Sequence, residues 1–140
     1  MYKMIQEAHS GWAYLVLLIL VIAVVNSLIG LTSKKEFLPK DRKIALFALI
    51  ATHIQFVFGL VLYSVSPLGK AAFGQMSNAE LRLTSLEHPL VNLIAIILIT
   101  IGWSTHKKVA DSNAKFKKIT VFYAIGLLLI LSRIPWNNWI

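Results

Sequence analysis

The chain has 140 residues, 57% of them hydrophobic and only 14% charged, where a soluble domain carries nearer a quarter charged. The apolar excess excludes an ordinary water-soluble core, and the absence of cysteine excludes disulfides and thiolate-bound metals. The formal charge of +8 raises the question of nucleic acid, but the placement of the charges, given below, fits membrane topology and no nucleic-acid partner.

Four apolar runs account for the excess: residues 11–31, 44–63, 89–103 and 119–134. A bilayer crossing takes ~20 mostly apolar residues at a rise of ~1.5 Å each, and the runs extend to spans at about 10–31, 43–64, 86–105 and 118–135. The first run is too long for a signal-peptide core and lacks a small-residue cleavage site after it, so it reads as retained. His9 precedes it, and Trp12 and Tyr14 lie at its start, where amphipathic rings prefer the membrane interface. The connection that follows is basic, with Lys34, Lys35, Lys40, Arg42 and Lys43.

The second run contains His53 and ends at Tyr63. Beyond it, Ser77 or Asn78 is a candidate N-cap, which predicts a short helix leading into the third span. That span must begin before Pro89, around Leu86, and continue to Thr105 to be long enough. His106 and a second basic connection follow, with Lys107, Lys108, Lys115, Lys117 and Lys118. The fourth run is short and reaches Trp136 and Trp139. Ten of the fourteen Lys and Arg thus lie in two connections. The positive-inside rule puts both in the cytoplasm, and both termini and the 64–85 loop outside. A patch for nucleic acid or anionic lipid is the rival reading of the same charges. The predicted architecture is all-α: an integral membrane, up-down-up-down four-helix bundle in a single domain over residues 1–140.

In such a bundle His9 and His88 sit at matching depth near the outer interface, on helices one and three, which face each other diagonally. Neighbouring axes lie ~8–10 Å apart, so the diagonal is roughly 11–14 Å, a gap that suits an iron held between two imidazoles. Ala13 below His9, Asn92 and Ala95 below His88, and Gly59 on the second helix leave room for a flat cofactor; small residues also serve plain helix packing. Arg82 and Arg133 are candidate partners for haem propionates or simply interfacial arginines reaching for water. Glu87 beside His88 and Glu7 near His9 are candidates to accept an imidazole N–H, or acidic residues favoured at a helix start.

His53 falls ~15 Å below Tyr63, and no histidine, methionine or cysteine occurs on the fourth span to complete a second haem site. The plain expectation is a hydrogen bond to Tyr123. The functional ones are a contact to the haem edge, a quinone site or a proton relay. His106, flanked by lysines, is expected to be solvated.

These features together, "HSGWAYLVLL", "THIQFVFGLVLYSVSP", "RLTSLEHPLVNLIAIILITIG" and "FYAIGLLLILSRIPW", resemble a family of small four-helix bacterial membrane proteins labelled cytochrome b or cytochrome b-like, over nearly the whole chain. A fainter likeness is to one half of haem A synthase, with histidines at the outer start of one helix and, after an Arg–Leu-rich stretch, of another two helices later. His9 and His88 match those places. The match departs at Glu7, which is only two residues before His9, and one half alone lacks the enzyme's two-haem chemistry. The resemblance implies haem b, bound by His9 and His88 as metal ligands with His53, Arg82, Arg133 and Glu87 nearby, in a multi-pass protein of the bacterial inner membrane. Three functions stay open: single-electron transfer or haem carriage, a cofactor-free subunit of a respiratory-chain or other membrane complex, and an enzyme acting on haem. No nucleotide loop, carboxylate-rich metal cluster or catalytic triad is present in the sequence.

Overall fold

The structure, a computed structural model, describes residues 2–139; the side chain of Trp139, one of the expected interfacial anchors, lies outside the described residues. Four long helical segments dominate. Helix α1 spans Tyr2–Ser33 and α2 spans Pro39–Val65. A short helix α3, Ala79–Arg82, runs through a π-helical turn at Leu83–Glu87 into α4, His88–His106, so that Ala79–His106 is continuous. Helix α5 spans Ser112–Ser132, and the short α6 spans Trp136–Trp139. No strand occurs among the described residues.

Local chemistry sets the ends. Pro39 stands in the first turn of α2, where its missing N–H leaves nothing unpaired. Asp41 accepts the Leu38 amide at 2.8 Å, the Asn26 side-chain amide at 2.9 Å and the Lys35 ammonium at 3.3 Å. The α1–α2 turn is thereby tied to the body of α1. Asn78 caps α3 as expected, accepting from the amides of Glu80 and Leu81, and Asp111 caps α5 through the Ala114 amide. Two helices begin ahead of the membrane spans expected from the apolar runs. Helix α1 begins at Tyr2, not near 10, because its polar first turns continue the helix beyond the apolar run. Helix α5 begins at Ser112, since the Asp111 cap starts it ahead of its apolar part, and it stops short of Pro135.

Helices α1 and α2 and the continuous 79–106 helix are long and apolar enough to cross a membrane. Helix α5 carries Lys115, Lys117 and Lys118 in its first two turns, which interrupt its apolar character. Around the bundle the neighbour order is α1, α2, α4, α5, with α1 packed on α2 and α5, and α4 on α5 and α2. The α2–α4 seam is the loosest of the four. One end of the bundle gathers the starts of α1 and α4 with the ends of α2 and α5.

The packing is inverted relative to a soluble bundle. Buried positions include Ala23, Ala45, Ala48, Ala51 and Ala95, whereas Leu18, Ile29, Phe47, Val57, Leu90 and Leu128 are exposed, the last at 66%. Small residues inside let helix backbones approach, and large apolar residues outside suit contact with lipid. Gly126 shows how close the approach is. A Cβ there would lie 2.7 Å from Ile99 Cγ1 and 3.2 Å from the Ala95 carbonyl oxygen, so any side chain would wedge α5 from α4. Tyr123, fully buried, crosses the core diagonally and donates to the Ala45 carbonyl of α2 at 2.8 Å.

Candidate functional site

At the end where α1 and α4 begin, a cavity of about 450 Å³ lies between α1, α2 and α4 under the 66–85 connection. The Tyr63 hydroxyl donates to the Ser85 carbonyl at 2.9 Å, which holds this roof onto α2. Leu60, Leu90 and Leu93 both line the cavity and are exposed, so it opens sideways through the loose α2–α4 seam.

His9 and His88 both line this cavity. Their ring centroids are 6.3 Å apart and the planes nearly perpendicular, at 83°. Diagonal helices are too far apart for direct backbone packing, so the two side chains bridge the gap by reaching toward each other. The rings differ in how they are held. His88 Nδ1 lies 2.9 Å from the Arg133 carbonyl oxygen; a carbonyl only accepts, so this nitrogen carries the proton and Nε2 carries the lone pair. The Asn92 amide nitrogen is 3.1 Å from the same Nδ1, but its shorter bond, 2.6 Å, goes to the His88 carbonyl, and that is the bond it makes. His9 Nδ1 is buried without a hydrogen-bond partner. Its ring rests against Gly59: a Cβ there would stand 3.2 Å from His9 Cε1 and 3.7 Å from Nδ1.

The remaining expectations divide. Ala13, Gly59 and Asn92 line the cavity with the histidines. Ala95 does not: it is fully buried against α5 at Gly126. Glu87 is not the partner of the His88 imidazole. Its carboxylate takes the Arg82 guanidinium at 3.1 Å and faces that of Arg133 at 3.8 Å, while the Arg133 backbone holds His88. Arg82 and Arg133 instead converge on Glu87, leaving a net single positive charge at this end of the bundle. Glu7 is exposed and makes no hydrogen bond to His9.

His53 is not bonded to Tyr123. It faces out of the bundle, donates from Nδ1 to the Leu49 carbonyl at 2.8 Å, and meets the Thr100 hydroxyl of α4 at 3.4 Å. Thr100 donates chiefly to Ile96, at 2.7 Å. Helical side chains lean toward their own N-terminus, so Tyr123 reaches down to the level of Ala45, two turns below His53. His106 is not solvated. It is 1% exposed, stacked between Trp103 at 4.7 Å and Phe37 at 5.5 Å, with its Nδ1 bonded to the Trp103 carbonyl. The α1–α2 turn brings Phe37 over it, and Arg42 and Lys107 cover Trp103 at 5.0 and 5.4 Å.

One cavity residue escaped the sequence reading. Gln55 on α2 lines the cavity, donates from Nε2 to the His9 carbonyl at 2.7 Å, and keeps Oε1 buried and unpartnered. Its signal was available: it lies on the stripe Ala45, Ala48, Thr52, Gln55, Gly59, whose spacing of three and four marks the inward face of α2.

The residues present fit a metal held between two imidazoles. A metal–imidazole bond is about 2 Å, so two rings sharing one metal atom have centroids roughly 6 Å apart. The orphaned His9 nitrogen and the missing Cβ at Gly59 leave the His9 ring seated but uncommitted. Among the described residues no group of three or more His, Cys, Asp or Glu is placed to hold a metal ion. Comparison of the chain with family models, with curated proteins and with solved structures finds no match.

Proposed function

We propose that this chain is a membrane-embedded b-type haem protein of the bacterial inner membrane, with His9 and His88 as the residues that would hold the iron. Its role on this reading is single-electron transfer or haem carriage, alone or with a membrane-complex partner. The observation that carries the reading is the meeting of two imidazoles from diagonal helices, 6.3 Å apart, in a cavity otherwise lined mainly by apolar side chains. Haem bound there would supply one-electron chemistry at iron. The chain's residues do the remainder. Arg133 fixes His88 with Nε2 free to ligate, Gly59 makes room for the His9 ring, and the apolar lining keeps water from the site. Arg82 and Arg133, half offset by Glu87, offer a cationic edge for carboxylates. Held by both imidazoles, the iron would supply electron transfer in preference to oxygen chemistry.

Four bilayer crossings belong to the same proposal. In support, α5 exposes Val121, Ile125 and Leu128 just as the three longer helices expose their apolar residues. The ten cations of the two short connections favour a cytoplasmic basic end, and hence periplasmic termini and a periplasmic-side haem. The test is haem content. Protein produced with ample haem and purified gently should retain close to one haem per chain by a pyridine haemochrome assay. Haem-free protein from the same preparation would reject the reading in favour of a cofactor-free accessory subunit.

A further inference from the structure

Two buried polar atoms in the cavity have no partner, and they are chemically complementary. His9 Nδ1 can carry a proton and needs an acceptor, and Gln55 Oε1 is an acceptor that needs a donor. They belong to two residues already in contact. The Gln55 amide nitrogen already donates to the His9 backbone at 2.7 Å, and the Nδ1 edge of the His9 ring faces α2 at Gly59, one turn beyond Gln55. The last torsion of a glutamine side chain is soft, so the amide can turn its Oε1 to the His9 ring, exchanging the bond its nitrogen makes to the His9 carbonyl.

We propose that Gln55 is the positioning residue for His9: its side-chain oxygen accepts the Nδ1 proton and leaves Nε2 as the nitrogen presented to the cavity. This inference rests on the haem reading for its purpose, but its geometry does not need the haem. Gln55 on α2 then does for His9 what the Arg133 carbonyl does for His88, where Nδ1 is already committed at 2.9 Å. Both imidazoles present the same atom. Leaving two buried polar atoms unpaired is costly, and such pairs are scarce in folded proteins; joining them removes both orphans at once. Gly59 completes the seat, because a side chain there would press on the ring at 3.2 Å.

The test uses the full chain, labelled with nitrogen-15 histidine, in lipid nanodiscs without haem. Nitrogen shifts distinguish an N–H nitrogen from one with a lone pair, and His9→Ala identifies the His9 signals. The wild-type chain should show His9 as the Nδ1–H tautomer. Gln55→Met, similar in length but without an acceptor, should move His9 toward the Nε2–H tautomer, while Gln55→Glu should preserve Nδ1–H. His88, read in the same spectrum, should not change, which also reports that the variants fold. With haem added, Gln55→Met should weaken binding by roughly 10–100-fold, the usual effect of losing a partner behind a metal ligand. A wild-type His9 in the Nε2–H tautomer, or one indifferent to Gln55→Met, overturns the assignment. Normal tautomer behaviour in a chain that takes up no haem would instead reject the haem reading and leave the Gln55–His9 contact standing.

Discussion

His53 and His106 exchange the roles that their surroundings in sequence suggest. A histidine inside an oily run reads as buried, and one beside two lysines reads as solvated. His53 faces outward because it lies off the small-residue stripe of α2, and His106 is buried because Phe37 and Trp103 close around it. His53→Gln is therefore expected to leave haem content unchanged and to cost under about 1 kcal/mol, the usual size of a hydrogen bond within a membrane. Thermal unfolding in detergent would check it, and complete haem loss would make His53 a ligand after all. His106→Ala should cost about 2 kcal/mol, because it empties a packed site between two aromatic rings. At the other end, Glu87 offsets the charge of Arg82 and Arg133. A nearby cation favours the reduced state, which holds the extra electron. Redox titration should thus find a lower potential in Arg133→Gln and a higher one in Glu87→Gln, with salt screening both only partly.

At the scale of helices, most of the architecture was legible. Four apolar runs and an Asn78 cap led to four long helices, because hydrophobic length and capping chemistry are local properties of the chain. Helix starts were less legible. Tyr2–Ala8 is helical without being apolar, and a reading that follows hydrophobicity stops where the oil stops. Side-chain direction was least legible: residue spacing from the span ends sets Tyr123 level with His53, while its hydroxyl reaches the Ala45 carbonyl along the lean of the side chain. The candidate site shows the same division. Histidines draw attention by their chemistry, whereas Gln55 had to be found from its register with Thr52 and Gly59. Packing at Gly126 belongs to this scale as well. Gly126→Val must displace Ile99 and meets the Ala95 carbonyl, so it should destabilise the α4–α5 pair by about 1–3 kcal/mol, as overpacking commonly does. An equally stable variant would mean that α4 and α5 separate freely.

For the whole molecule, the inverted packing and the charge asymmetry describe one object: a bundle with an apolar waist, one basic end and one end holding the histidine cavity. The chain lacks cysteine, so single cysteines report position without background. Cysteines placed at Lys40 and Asn113 should be shielded from an impermeant thiol reagent in intact cells, and one at Gly69 should react. That sidedness would put His9 and His88, which lie at the Gly69 end of the bundle, close to the outer surface, and His106 at the opposite, basic end. The central claim is that these two imidazoles jointly hold one iron, and the absorption spectrum of the reduced, purified protein tests it most directly. The wild-type chain should show the sharp bands of a low-spin, six-coordinate haem, and His9→Ala and His88→Ala should each turn high spin or lose haem. An unchanged low-spin spectrum in either variant, or a colourless wild-type protein made with ample haem, would contradict it.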